Sequence, residues 1–111
     1  MQETDLCLAE IGRRIAQRRK QLGLTQEKLA EQANVTTQFV SYAEAGKRAM
    51  RPENLKKISL ALGVSADYLL TGDATDKDLL LLSRKLALLT PAQLRSVETI
   101  VDECVRLNSA Q

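Results

Sequence analysis

The chain is 111 residues long, which is one small domain or one domain with a short appendage. Apolar residues at 44% and charged residues at 27% suit a chain that folds around a core, and 3% aromatics with no Trp make that core aliphatic and helix-friendly. Histidine is absent, which removes the commonest general base, the Ser-His and Cys-His nucleophile pairs and nearly all zinc geometries, while a net charge of +2 is too mild to announce nucleic acid by itself.

Glycines punctuate the helical stretches. Leu8, Ile11, Ile15 and Leu22 recur at helical spacing, and Gly23 ends this first helix. Thr25 reads as the N-cap of a second helix, with Glu27 in its first turn beside the positive helix end. That helix carries Leu29, Ala30 and Ala33 and stops at Asn34, a residue that tolerates the left-handed conformation. Thr36 caps a third helix running to Ala45 before Gly46. Pro52 opens a fourth, whose stripe is Leu55, Ile58 and Leu62, ahead of Gly63. Ser65 caps a short fifth helix that ends near Leu70, before Gly72. No stretch alternates with period two, so no strand is expected and the class is all-α.

Residues 72–78 are polar and read as a linker. The division is then a first domain over 1–72, a linker over 73–78 and a helical hairpin over 79–111. In the hairpin, residues 79–89 and 91–107 are helical, and Thr90-Pro91-Ala92-Gln93 matches a capping box with Pro at the first helical position. Residues 1–72 hold 11 Lys+Arg and 8 Asp+Glu, a net of +3; residues 73–111 hold 5 and 6, a net of −1. The net positive charge therefore lies in the first domain.

Cys7 and Cys104 form no CxxC pair, and each sits among apolar neighbours at helical spacing, so both are expected to be small buried hydrophobes rather than metal or redox ligands. The N-terminus is polar without an apolar signal core, and the longest apolar run, 79–82, is too short to span a bilayer. A cytoplasmic chain with no metal, no cofactor and no membrane association is expected, and an enzyme is not.

Residues 26–45 are the informative stretch. Two helices meet at the short turn Asn34-Val35-Thr36, with the small Ala30 where crossing helices approach closely. Leu29, Ala33, Val35, Val40 and Ala43 supply the inward positions. This is the pattern of a helix-turn-helix. With Val40 set inward, Thr36, Ala43 and Glu44 fall within about 60° of it at about 100° per residue. Gln38, Ser41, Tyr42 and Ala45 point away. The outward face is polar and free of carboxylates, where an ordinary solvated helix would carry Glu and Lys. Gln can bond adenine bidentately in the major groove, and Ser or Thr can bond several bases.

Two charges fall on apolar stripes. Arg19 lies four residues after Ile15, and Glu44 four after Val40. Either alone would be costly to bury, so an Arg19–Glu44 ion pair tying the first helix to the third is expected ahead of both reaching solvent.

In these residues the chain resembles the Cro- and phage-repressor-type helix-turn-helix regulators, the XRE family. The matching motifs are Ile11-Gly12-Arg13-Arg14-Ile15, Leu22-Gly23-Leu24-Thr25-Gln26, Leu29-Ala30, Glu44-Ala45-Gly46-Lys47-Arg48, Ala61-Leu62-Gly63-Val64-Ser65 and Tyr68-Leu69-Leu70-Thr71-Gly72, over about residues 8–72. The resemblance implies a five-helix lambda-repressor-like DNA-binding domain and makes Gly12 a packing position. It implies base-reading roles for Thr37, Gln38 and Tyr42, with Ser41 beside them. It implies phosphate contacts from Gln26, Lys47, Arg48 and Arg51, with Thr36 helping, and a buried Arg19–Glu44 pair. Tyr42 is a bulky aromatic where many members carry Gln or Arg, Phe39 is apolar for a rim position, and Pro52 comes late. Arg13, Arg14, Arg18 and Lys20 read mostly as a solvated helix face.

Residues 79–82 put leucines on every side of one turn, so that helix must be buried on more than one side. One side can pack on the hairpin stripe Leu94, Val97, Ile100, Val101, Cys104 and Leu107. The other needs the first domain or a second chain, and the second chain is favoured because helix-turn-helix proteins generally need two copies for a palindromic site. The expected dimer residues are Leu79, Leu82, Leu86, Leu89, Val97, Ile100, Val101 and Cys104. The expected activity is sequence-specific binding of double-stranded DNA as a homodimeric repressor, with a protein effector a further partner and no small-molecule domain. The alternative is an antitoxin-like or anti-repressor-controlled module whose C-terminal helices bind another protein.

Overall fold

The computed structural model describes the backbone of residues 2–109 and the side chains of 8–108, so the Cys7 side chain lies outside the described residues. Every regular element among these residues is α-helical, in the order α1 (Gln2–Gln21), α2 (Gln26–Ala33), α3 (Thr37–Glu44), α4 (Pro52–Leu62), α5 (Ala66–Thr71), α6 (Asp76–Leu86) and α7 (Pro91–Ser109). No helix among them is long and apolar enough to cross a membrane.

Local chemistry sets the helix ends. The side-chain oxygens of Thr25, Thr36 and Ser65 accept from the backbone N–H groups of Lys28, Phe39 and Tyr68, opening α2, α3 and α5. Pro52 stands at the start of α4, where its missing N–H costs nothing. Asn34 closes α2 at φ 58°, the left-handed conformation that short polar side chains tolerate.

The chain forms two compact units, residues 1–79 and 80–111. The first encloses the core: Ile11, Ile15, Leu29, Ala30, Ala33, Val40, Ala43, Ile58, Leu62 and Leu69 are buried, with Phe39, Leu55 and Val64 packed against them. Gly12 lies where α1 crosses α3, and a Cβ there would stand 2.4 Å from the Ala43 carbonyl oxygen. Only hydrogen fits.

The observed elements depart from the expectations in four places. Leu22 falls beyond α1 and is 39% exposed, because the chain has already turned toward Gly23. Helix α6 begins at Asp76 rather than 79, since Thr75 and Asp78 cap it reciprocally: the Asp78 carboxylate accepts from the Thr75 N–H at 2.8 Å, and Thr75 Oγ1 accepts from the Asp78 N–H at 3.4 Å. Asp78 also accepts from the backbone N–H and hydroxyl of Ser65, both at 2.7 Å, so the stretch read as a linker is bonded to the first unit. Burial opposes the Asp78 charge, yet these hydrogen bonds from Ser65 and Thr75 outweigh it and hold the carboxyl at about 2. Finally, α6 ends at Leu86 rather than 89, where the backbone tightens: the Leu88 and Leu89 N–H groups donate three residues back, to the Lys85 and Leu86 carbonyls, both at 3.1 Å.

In the second unit Thr90 and Gln93 form a capping box, the Thr90 N–H donating to Gln93 Oε1 at 2.9 Å and the Gln93 N–H to Thr90 Oγ1 at 3.2 Å. The α7 stripe does not find the cover expected from the hairpin. Val97 is half-buried, but Leu94, Ile100, Val101, Cys104 and Leu107 are exposed, as are Leu80, Leu82 and Leu88. Cys104 is therefore a free, exposed thiol rather than a buried one. The reason is geometric: two helices cannot enclose apolar residues carried on all of their faces.

Candidate nucleic-acid interface

Helices α2 and α3 are joined by Asn34, Val35 and Thr36. The Val35 N–H donates to the Ala30 carbonyl at 3.0 Å, so the turn folds back tightly on α2. Leu29, Ala30 and Ala33 of α2 face Val40 and Ala43 of α3, and all five are buried. That core leaves one side of α3 outward. Thr37, Gln38 and Ser41 are exposed on it and Tyr42 is half-buried. Thr36 is exposed too, against the helical-wheel expectation, because as an N-cap it lies outside the helix to which the wheel applies.

The Gln38 amide nitrogen donates to the Tyr42 hydroxyl at 2.8 Å, and the Arg48 guanidinium lies over the Tyr42 ring, 4.9 Å from its centroid. These three residues, with Phe39, Arg51 and Asn54, line a cleft of about 370 Å³ beside α3. Asn54 escaped the sequence reading. The signal was available, since Pro52 at the head of α4 puts Asn54 in the first turn of that helix, facing the loop after α3.

Glu44 is the one acidic residue of α3, and it is fully engaged. Arg19 donates to it twice, Nε to Oε2 at 2.6 Å and a terminal nitrogen to Oε1 at 3.0 Å, while the two side chains are only 12% and 8% exposed. The Gln26 amide donates to the same carboxylate at 2.9 Å, and the third Arg19 nitrogen donates to the Leu24 carbonyl at 2.9 Å. The hydrogen bond that Arg19 donates to Glu44 outweighs burial and raises the Arg19 pKa, so the guanidinium keeps its charge. Two consequences follow for the surface. The outward face of α3 carries no uncompensated negative charge, and Gln26 has one amide hydrogen turned to the ion pair and one left over.

Lys47, Arg48 and Arg51 are exposed in the loop after α3, and none pairs with a carboxylate among the described residues. The basic residues of α1 behave differently, and not as a plain solvated face. Arg14 donates to the Leu69 carbonyl at 3.0 Å and Arg18 to the Leu62 carbonyl at 2.9 Å. Each guanidinium thus satisfies a carbonyl at the negative end of α5 or α4. Arg13 and Lys20 are exposed.

Residues 15–69 match the family model described as helix-turn-helix. Three solved structures are similar. The P22 c2 repressor protein, solved in complex with a synthetic operator, is 40% identical with a TM-score of 0.55, the match covering 57% of this chain and 96% of that one. The restriction-modification controller protein C.AhdI from Aeromonas hydrophila is 31% identical with a TM-score of 0.54, covering 56% of this chain and 94% of that one. A chain of the SinR protein/SinI protein complex is 25% identical with a TM-score of 0.55, covering 91% of this chain and 99% of that one.

Proposed function

The chain belongs to the helix-turn-helix family of Cro- and phage-repressor-type DNA-binding transcriptional regulators, and from that premise we propose that it is a sequence-specific repressor binding a palindromic operator as a homodimer. The observation that carries this reading is the exposed face of α3. Thr37, Gln38, Ser41 and Tyr42 stand there without a free carboxylate, flanked by Lys47, Arg48 and Arg51. Helix α3 enters the major groove and offers amide and hydroxyl groups to base edges. In this reading Lys47, Arg48 and Arg51, with Gln26 and the hydroxyl of Thr36, contact phosphates on either side and set the register. The likeness to the P22 c2 repressor, solved in complex with a synthetic operator, supports operator DNA as the partner of this chain.

The second copy is held by the unit over 80–111 together with Leu79. Leu79, Leu82, Ile100 and Val101 are each more than half exposed in one chain. Leu86, Leu89 and Val97 flank them half-buried, and Cys104 lies exposed on α7. An exposed apolar surface of this kind marks a protein contact. A partner of a different sequence is the second reading, favoured by the likeness over most of the chain to a member of a two-protein complex. Light scattering on the full chain separates the two: a dimer mass that Ile100→Glu reduces to a monomer supports self-association, and a monomer at micromolar concentration overturns it.

Selection from random duplex DNA tests the DNA reading. The expected product is a palindrome whose half-sites lie about one helical turn apart. An unsymmetrical single half-site would overturn the dimeric docking. Transcription from a promoter overlapping the selected site should fall when the chain is present, and a rise would overturn repression.

A further inference from the structure

Gln38 and Tyr42 stand four residues apart on the outward face of α3, with the Gln38 amide nitrogen 2.8 Å from the Tyr42 hydroxyl oxygen that accepts from it. A glutamine amide carries one acceptor oxygen and two N–H donors. With one N–H engaged by Tyr42, one acceptor and one donor are left at the tip of the side chain. That pair matches adenine in the major groove, where N6 donates and N7 accepts. The reversed amide, accepting from Tyr42, would offer two donors instead, the match for the N7 and O6 acceptors of guanine. The hydroxyl is itself held in place. The Tyr42 ring is half-buried, and the Arg48 guanidinium sits over it, 4.9 Å from the centroid.

Resting on the DNA-reading role above, we propose that Tyr42 is a positioning residue, holding the Gln38 amide in the orientation that selects adenine, and does not read a base of its own. Arg48 braces the ring from the loop side, so Arg48, Tyr42 and Gln38 act in series. A long side chain ordered before it meets DNA has less freedom to lose on contact, an advantage of roughly two- to tenfold in binding.

The test uses the full chain with Gln38→Ala, Tyr42→Phe and both together. Each is measured against the duplex selected from random DNA by the wild type, with the bases of the half-site changed in turn. Gln38→Ala should lose roughly 5- to 150-fold of discrimination at one adenine. Tyr42→Phe keeps the ring and the Arg48 contact, and should lose roughly two- to tenfold at that same adenine. Its salt dependence should not move, because no phosphate contact is altered. The double variant should lose no more than Gln38→Ala alone. Undiminished discrimination in Tyr42→Phe, a loss at a different base pair, or guanine selected at the Gln38 position would each overturn the positioning role while leaving DNA reading intact. If the wild type enriched no duplex at all, DNA reading would fall and the positioning role with it.

Discussion

Residues 8–79 and residues 80–108 are built from the same aliphatic residues, yet the first stretch encloses ten buried apolar side chains and the second encloses none. In the first, α1 to α5 turn their apolar stripes toward one shared core, and side chains of Thr25, Thr36 and Ser65 cap α2, α3 and α5. In the second, leucine, isoleucine and valine are spread over the faces of two consecutive helices, and most stay in contact with solvent. Hydrophobic composition alone therefore does not make a core. A core needs enough differently directed surfaces to exclude water from all sides of a residue, and α6 with α7 supply too few.

Substitutions can sharpen that contrast, beginning with the largest effect. Glu44→Ala would leave Arg19, only 12% exposed, without its carboxylate, and should destabilise the first unit by about 3–5 kcal/mol in denaturant titration. Gly12→Val should cost about 3 kcal/mol by forcing α1 from the α3 backbone, since even a Cβ would stand 2.4 Å from the Ala43 oxygen; an unchanged midpoint would mean the helices can separate freely.

Within the first unit, Asp78 ties Thr75 to Ser65. Its folded-state carboxyl titrates at about 2 against an ordinary 3.8, so charged Asp78 stabilises the fold fully above about pH 4. That stabilisation is lost as pH falls through about 2. Asp78→Asn should remove this part of the acid sensitivity in unfolding curves recorded from pH 5 to pH 2. Identical curves for the two proteins would mean the hydrogen bonds to Ser65 and Thr75 do not persist in solution.

The smallest effect on stability falls in the second unit. Ile100, 62% exposed, should tolerate Gln at a cost of no more than about 0.5 kcal/mol to the fold of a single chain. Light scattering should nonetheless show its self-association weakened. A large loss of monomer stability would instead mean that this surface is already covered within one chain.

Much of the fold could be read directly. Caps and left-handed stops act within four residues of themselves, so Thr25, Asn34, Thr36, Gly63 and Ser65 mark helix ends in sequence as they do in space. The helix-turn-helix could be read because its inward stripe repeats at helical spacing, and Arg19 and Glu44 stood out as charges on apolar stripes. The start of α6 was misread because an aspartate at Asp78 performs the back-bonding usually sought from Glu or Gln.

Other contacts had no local signature. Arg14 and Arg18 look like members of a basic helix face, and their acceptors, the Leu69 and Leu62 carbonyls, lie 55 and 44 residues away. Ser65 and Asp78 are 13 apart, the first a helix cap and the second in the stretch that reads as linker. The contact of Arg48 with the Tyr42 ring depends on the path of the loop after Gly46.

By itself, then, the sequence determined the helices, their stops and the polar face of α3, because hydrogen-bond satisfaction at helix ends and the 3.6-residue period operate over a few residues. The tertiary structure decided which charges stay outward at the α3 surface and which are turned inward to helix ends and the Glu44 carboxylate. It also decided that the apolar faces of α6 and α7 stay open in a single chain. Both depend on how elements distant in sequence are placed against one another, and no local rule encodes that placement.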